Sequence, residues 1–308
     1  MKKIILRCAN GLGNQMFLYA FAFALSKKLK RTLYIDTKSA FITKINFKNK
    51  REMKYELDIF NLSAAKANEN FCFNSFLKNI KRKFLKIFDY FRNKKNFIIE
   101  KKNQTDLKIY NKILKDGNFN NILYIEGYFQ SSNYFSKYRN ELINEFKLKK
   151  KIKTTSNYRT KILSTNSVSL AIRSDRFDEK MEDVNDKKKI YKSLKFERDQ
   201  INYIKRAIKF YKRKIKNPFF FLFSDSPDKY KLKFKGEKNF VIINKYNKIK
   251  MLEDYYLMTL CKHFAVAPTT FHYWPAWLSN YEKKICIRPR NLNPSNNHAY
   301  WPSEWQAI

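Results

Sequence analysis

The chain has 308 residues, 44% of them hydrophobic and 17% aromatic, so it can bury one large core or two of ordinary domain size and is no disordered basic tail. Its 65 Lys and Arg against 27 Asp and Glu give a formal charge of +38, a field that draws phosphates, anionic lipid surfaces and nucleic acids without choosing among them. Lysine, asparagine, isoleucine and phenylalanine are abundant together, so a codon-level origin for part of that charge stays open. No apolar run of about 18 residues and no signal-peptide pattern occurs, which predicts a protein made and kept in the cytosol. Cys8, Cys72, Cys261 and Cys286 lack disulfide or zinc spacing, and His263, His272 and His298 form no metal set, so no structural metal is expected.

Ile4, Ile5 and Leu6 read as a short buried strand. It leads into Asn10-Gly11-Leu12-Gly13-Asn14-Gln15, which holds two of the five glycines in the chain. Phe17, Tyr19, Ala20, Phe23, Ala24 and Leu29 then recur at helical spacing, predicting an amphipathic helix before a second strand at Thr32 to Ile35. The first turn of such a βαβ unit opens at the carboxyl edge of a parallel sheet, where ligands bind. This turn is not the GxGxxG fingerprint, and glycines that merely permit a tight loop are an open alternative.

Tyr55 to Phe60 is a short apolar segment suited to docking on a domain edge. From Phe76 to Phe91, Leu77, Ile80, Phe84, Ile87, Phe88 and Phe91 recur at three and four, while Lys78, Lys81, Arg82, Lys83, Lys86 and Arg92 fill the other face. That predicts a basic amphipathic helix, for which a peripheral contact with an anionic membrane and an ordinary solvated face are both open. Leu123 to Ile125 reads as a strand running into Gly127-Tyr128-Phe129-Gln130, followed by a helical pattern from Tyr134 to Phe146. Lysines and polar residues without periodicity from Lys149 to Thr160 mark a linker, dividing the chain into domains 1–155 and 156–308.

The second half again alternates strand and helix. Val168 to Ile172 is a strand ending in Arg173-Ser174-Asp175-Arg176, and 196–213 is a helix. Pro218 to Phe223 is a buried strand closed by Ser224-Asp225-Ser226-Pro227. A strand at Val241 to Ile243, a helix at Glu253 to Lys262 and a strand at Phe264 to Ala267 lead to a helix opening at Thr269-Thr270-Phe271-His272. An arginine at a strand end can pair its planar fork with phosphate, and threonines at a helix start offer hydroxyls and backbone N–H groups to the same anion. Each has a plainer alternative: a salt bridge from Arg173 to Asp175 or Asp178, and an N-cap for the threonines. Asp225 could accept from a nucleobase edge or simply cap its own turn.

Taken together, Gly11-Leu12-Gly13-Asn14-Gln15-Met16-Phe17, Gly127-Tyr128-Phe129-Gln130, Phe223-Ser224-Asp225 and Thr270-Phe271-His272-Tyr273-Trp274-Pro275-Ala276-Trp277-Leu278 resemble the bacterial α-1,2-fucosyltransferases of glycosyltransferase family 11. The matches keep their order across nearly the whole chain. The resemblance implies an α/β fold of GT-B type, with two Rossmann-like domains facing a central cleft. It implies an inverting, metal-independent transferase with no cofactor, GDP-fucose as donor, and an oligosaccharide or glycolipid acceptor of surface-glycan synthesis. No nucleic-acid partner is expected, although the charge leaves a basic nucleic-acid-binding protein as the reading of a different class.

Carried over by position, Arg173, Asp225, Thr269, Thr270 and Phe271 would bind the donor, with Arg173 and Asp175 catalytic, and Asn10, Gly11, Gly13, Asn14 and Gln15 would line the cleft from the other domain. The general base is not singled out; Asp175 and Asp178 are candidates. The family's His-x-Arg-Arg-Gly-Asp-Tyr appears here as Ala171-Ile172-Arg173-Ser174-Asp175-Arg176-Phe177, without its histidine. Its Asn-Ser-Ser-Phe-Ser-Trp-Trp-Gly appears as Pro268-Thr269-Thr270-Phe271-His272-Tyr273-Trp274-Pro275, and the proline predicts that the helix starts later than in the relatives. These departures leave another GDP-sugar open as donor, such as a heptose or a modified deoxyhexose.

Overall fold

The computed structural model describes residues 1–41, 53–100, 107–150, 152, 157–174, 187–243, 250–295 and 297–308. The chain divides into two compact units, one of Met1–Phe47, Glu52–Lys150 and Ser295–Pro302, the other of Lys48–Arg51, Lys151–Pro294 and Ser303–Ile308. The second half was expected to run unbroken to residue 308, yet Ser295–Pro302 returns to the first unit.

In the first unit, β1 (Lys3–Arg7), α1 (Leu12–Leu29) and β2 (Thr32–Asp36) are followed by β3 (Ala65–Lys66), α2 (Phe76–Phe91) and β4 (Lys95–Ile99). Then come α3 (Leu107–Asp116), β5 (Phe119–Glu126) and α4 (Arg139–Glu145). The strands form one parallel sheet in the order β3-β2-β1-β5-β4. Ile4, Ile5 and Leu6 of the central strand are fully buried, as a strand covered on both faces requires. Helix α1 departs from the amphipathic expectation. From Leu12 to Ser26 every residue except Asn14 is buried. Aromatic rings close over Phe21, which lies outside the predicted stripe, with Phe129 stacked on it at 3.6 Å and Tyr134 edge-on at 5.5 Å.

The second unit contains α5 (Tyr158–Ser164), β6 (Asn166–Ile172), α6 (Lys187–Lys214), β7 (Pro218–Ser224) and β8 (Phe240–Ile242). After these come α7 (Lys250–Thr259), β9 (His263–Ala265), α8 (Thr270–Leu278), β10 (Cys286–Arg288) and β11 (Gln306–Ala307). Its sheet is also parallel, in the order β11-β10-β9-β6-β7-β8. Val168, Leu170 and Ile172 pack with Phe220 and Leu222 against Tyr203, Ile204, Ala207 and Ile208 of α6. Two α6 tyrosines tie the helix to sheet carbonyls, Tyr203 Oη donating to Ile287 at 2.9 Å and Tyr211 Oη to Phe264 at 2.8 Å.

In each sheet the chain builds outward from the first strand and then returns to its other side. The reversal falls between β1 and β5 in one unit and between β6 and β9 in the other. Parallel sheets bind ligands at the carboxyl ends of strands beside such a reversal.

Candidate active site

In the first unit, both recognised motifs meet at the reversal point. The left-handed residue is Asn10, at φ 66°, while Gly11 has an ordinary φ of −79° and caps α1 through its carbonyl. A Cβ at Gly11 would meet nothing nearer than Glu56 Oε2 at 4.0 Å, so neither backbone strain nor protein packing requires a glycine there. Gln15 is fully buried; its amide donates to the carbonyls of Asn10 at 2.6 Å and Lys54 at 2.8 Å, and its oxygen accepts from Glu56 N at 2.9 Å. Those bonds turn Gln15 inward, as a staple for the turn rather than a group lining a cleft. Gly13 is buried in the first turn of α1. Asn14 is partly exposed and accepts from Gln130 of the second motif.

Gly127 has a steric reason. Its Cβ would lie 2.6 Å from Glu100 Cβ and 2.8 Å from the Phe129 ring. Glu100 comes this close because its Oε2 accepts from the backbone N–H groups of Tyr128 at 2.7 Å and Phe129 at 2.6 Å. Burial raises the pKa of that carboxyl, and the two N–H bonds oppose the shift.

In the second unit, Arg173 follows β6, Asp225 follows β7, and Thr269 and Thr270 follow β9. These strands are neighbours, so the three ends converge at the carboxyl edge. Arg173 Nε pairs with Asp225 Oδ2 at 3.2 Å, and the arginine side chain remains 26% exposed. Ser174 donates to the same carboxylate through its amide, at 3.0 and 3.1 Å, and through its hydroxyl at 2.7 Å. Gln200 of α6 brackets the Arg173 peptide, accepting from its N–H at 3.1 Å and donating to its carbonyl at 2.9 Å. The arginine therefore stands on a braced backbone. Among the described residues an acidic partner is Asp225, which follows β7 more than fifty residues away in sequence. Asp175 and Asp178 lie outside the described residues.

Thr269 is the N-cap of α8, with Oγ1 accepting from the His272 amide at 3.3 Å and lying 2.9 Å from His272 Nδ1. Thr270 and Phe271 are partly exposed in the first helical turn, and the Phe271 ring packs 6.0 Å from that of Tyr255. The delayed helix start expected from Pro275 does not occur. Helix α8 begins at Thr270 with Pro275 inside it, because the Thr269 cap sets the start and only one helical N–H is forfeited at the proline.

His272 was absent from the predicted site, yet its ring belongs there. Burial and the charge of Arg173 push its pKa down to about 3, with Asp225 opposing, so the imidazole is neutral and within electrostatic reach of the ion pair. The sequence signal was its place in the altered helix motif, three residues after the cap. Ala171, at the position for which the resemblance implies a histidine, is buried and lies in register with the buried Phe223.

The sequence matches the model for Glycosyl transferase family 11 over residues 3–308. The chain belongs to that family. An Escherichia coli protein described as O-antigen biosynthesis glycosyltransferase WbnK is 26% identical over 304 residues, 94% of each chain. An Escherichia coli α-1,2-colitosyltransferase is 27% identical over 320 residues, covering 100% of this chain and 99% of the relative. Among solved structures, the Bradyrhizobium α-1,6-fucosyltransferase NodZ soaked with GDP-fucose gives a TM-score of 0.50 at 14% identity, covering 90% of this chain and 92% of that one. An Arabidopsis thaliana FUT1 variant in complex with GDP gives 0.52 at 11% identity, covering 95% and 71%. The family 11 chain is thus a glycosyltransferase built from two Rossmann-like α/β units of GT-B type.

Proposed function

We propose that this glycosyltransferase moves fucose from GDP-fucose, with inversion and without a metal ion, to a hydroxyl of a surface-glycan acceptor, the 2-OH of galactose being the preferred assignment. The observation that carries the donor half is the braced Arg173 beside the Thr269 cap and the start of α8. An attacking hydroxyl places positive charge on the sugar ring and negative charge on the departing diphosphate. A fixed guanidinium and a helix N-terminus stabilise that negative charge without reorganising during the reaction. In this reading Asp225 positions Arg173 and Ser174, since its oxygens already serve those groups, in place of the nucleobase contact considered from sequence. Thr270 remains a proposed donor contact and Gly11 a proposed substrate contact, with Asp175 and Asp178 both candidates for the base.

His272 joins this set. In the tautomer in which the Thr269 hydroxyl donates to Nδ1, the ring proton is on Nε2, and a neutral donor would add a hydrogen bond near the phosphates.

Titration of GDP into the parent protein, Arg173→Ala and Arg173→Lys tests the reading. Loss of one charge-assisted bond of about 1.5–3 kcal/mol predicts roughly ten- to hundredfold weaker GDP binding in Arg173→Ala. Lysine should not restore it, because a single ammonium cannot bond Asp225 and a phosphate in the geometry of the guanidinium fork. Unchanged affinity in Arg173→Ala would remove Arg173 from the donor site.

A second donor is favoured by a specific finding, the full-length likeness to an α-1,2-colitosyltransferase, together with Ala171 in place of the family histidine. Colitose is a dideoxyhexose, of the modified-deoxyhexose class that the altered segment leaves open as donor. Turnover of another GDP-sugar, with none of GDP-fucose on any galactoside, would decide for this second donor.

A further inference from the structure

Helix α2 is attached to its unit by its polar side. Its buried residues are Arg82 and Asp89, 7% and 5% exposed, with Asn79 and Lys86 on the same face at helical spacing. Arg82 Nη1 and Lys86 Nζ converge on Glu126 at the end of β5, the latter at 2.8 Å. Burial alone would raise the Glu126 pKa, but the bonds from Arg82 and Lys86 prevail and hold the carboxylate ionised. Asp89 accepts from the backbone N–H groups of Asn96 at 2.7 Å and Phe97 at 3.2 Å, which straps the helix to β4.

The apolar stripe consequently faces out. Phe76, Leu77, Phe84, Ile87, Phe88 and Phe91 are between 56% and 78% exposed. At 3.6 residues per turn these six fall within an arc of about 120°, centred opposite Arg82. Ordinary surface helices do the reverse, burying the stripe and exposing the charges. Exposed Lys78, Lys81 and Arg92 lie along one border of the stripe and Lys83 along the other.

We propose that α2 lies in the surface of an anionic bilayer, its aromatic stripe at the acyl boundary and its bordering lysines and arginine at the headgroups. Charge complementarity selects this occupant. Every charged residue along the border is basic on a chain of net charge +38, so a second copy would set like charges against each other, whereas anionic headgroups neutralise them. Long basic side chains beside apolar rings also suit a water–lipid boundary, where the stems stay apolar and the heads reach out. The dock on Glu126 and the Asp89 strap hold the helix in this orientation before any lipid arrives.

The test is co-sedimentation of the full chain with phosphatidylcholine vesicles, alone or with about 30 mol% phosphatidylglycerol. Phe84→Ser/Ile87→Ser/Phe88→Ser removes the stripe, and Lys78→Gln/Lys81→Gln/Lys83→Gln/Arg92→Gln removes the border. GDP binding and circular dichroism report that these exposed substitutions leave the fold intact. The parent is expected to bind the anionic vesicles and not the neutral ones, each variant losing on the order of 100-fold in partition coefficient. Absence of parent binding, equal binding to both vesicle types, or a stripe variant that binds like the parent would overturn the proposal. So would self-association of the parent that the stripe variant abolishes, because the stripe would then belong to a second copy.

Discussion

Adding one methyl group has opposite expected outcomes at two glycines. In Gly127→Ala the new atom lies 2.6 Å from Glu100 Cβ and 2.8 Å from the Phe129 ring, neither of which is the free end of a flexible chain. A loss of about 1–3 kcal/mol is expected, read as a lower urea midpoint at unchanged slope. Gly11→Ala should leave stability within about 0.5 kcal/mol of the parent, so a fall in transfer rate would report crowding of a substrate. His263 gives a pH dependence. Its Nδ1 accepts from Ile285 N at 3.2 Å, and burial depresses its pKa to about 4. The unfolded chain, with an ordinary value near 6.5, takes up a proton first, so stability should fall as pH drops from about 6.5 to 4 and then level off, by on the order of 3 kcal/mol. Urea midpoints at several pH values should show this loss in the parent and a smaller one in His263→Asn, whose side-chain oxygen can still accept the Ile285 N–H.

At the scale of elements, periodicity was a good guide to where helices and strands lie and a poor one to which side faces in. The pattern from Phe76 to Phe91 predicted α2 to the residue, because apolar positions three and four apart define a helix whatever it packs against. The orientation of that helix depended on Glu126, Asn96 and Phe97, which its own sequence does not contain. Helix α1 hid its burial in a related way, since rings from Phe129 and Tyr134 cover Phe21, which the amphipathic reading left out of its apolar stripe. For α8, the cap outweighed the proline. Thr269→Ala should cost about 1 kcal/mol and release His272 from its partner, while Thr269→Ser should keep both, as thermal melts of the two variants would show.

Over the whole molecule, the last fourteen residues serve both units. Tyr300 packs 5.8 Å from Phe17, and Ala299 accepts from Ser131 Oγ at 2.7 Å, within the first. Trp305 packs 4.9 Å from Tyr273, and β11 extends the sheet beside β10, in the second. Truncation before Ser295 should therefore uncover core in each unit and lower the thermal transition of both, visible by calorimetry as loss of cooperative unfolding or as insoluble protein. Among the described residues no helix is long and apolar enough to cross a membrane.

By itself the sequence determined the alternation of strand, turn and helix, the family, and the arginine at the end of β6, because each is written in neighbouring residues. Only the tertiary structure decided that Asp225 braces Arg173, that His272 lies within electrostatic reach of them, that Gln15 turns inward, and that α2 presents its apolar side to solvent. The physical reason is common to all four. Hydrogen bonding and burial depend on partners brought together by the sheet order from distant parts of the chain, and a local pattern says what a side chain is without saying what it will meet.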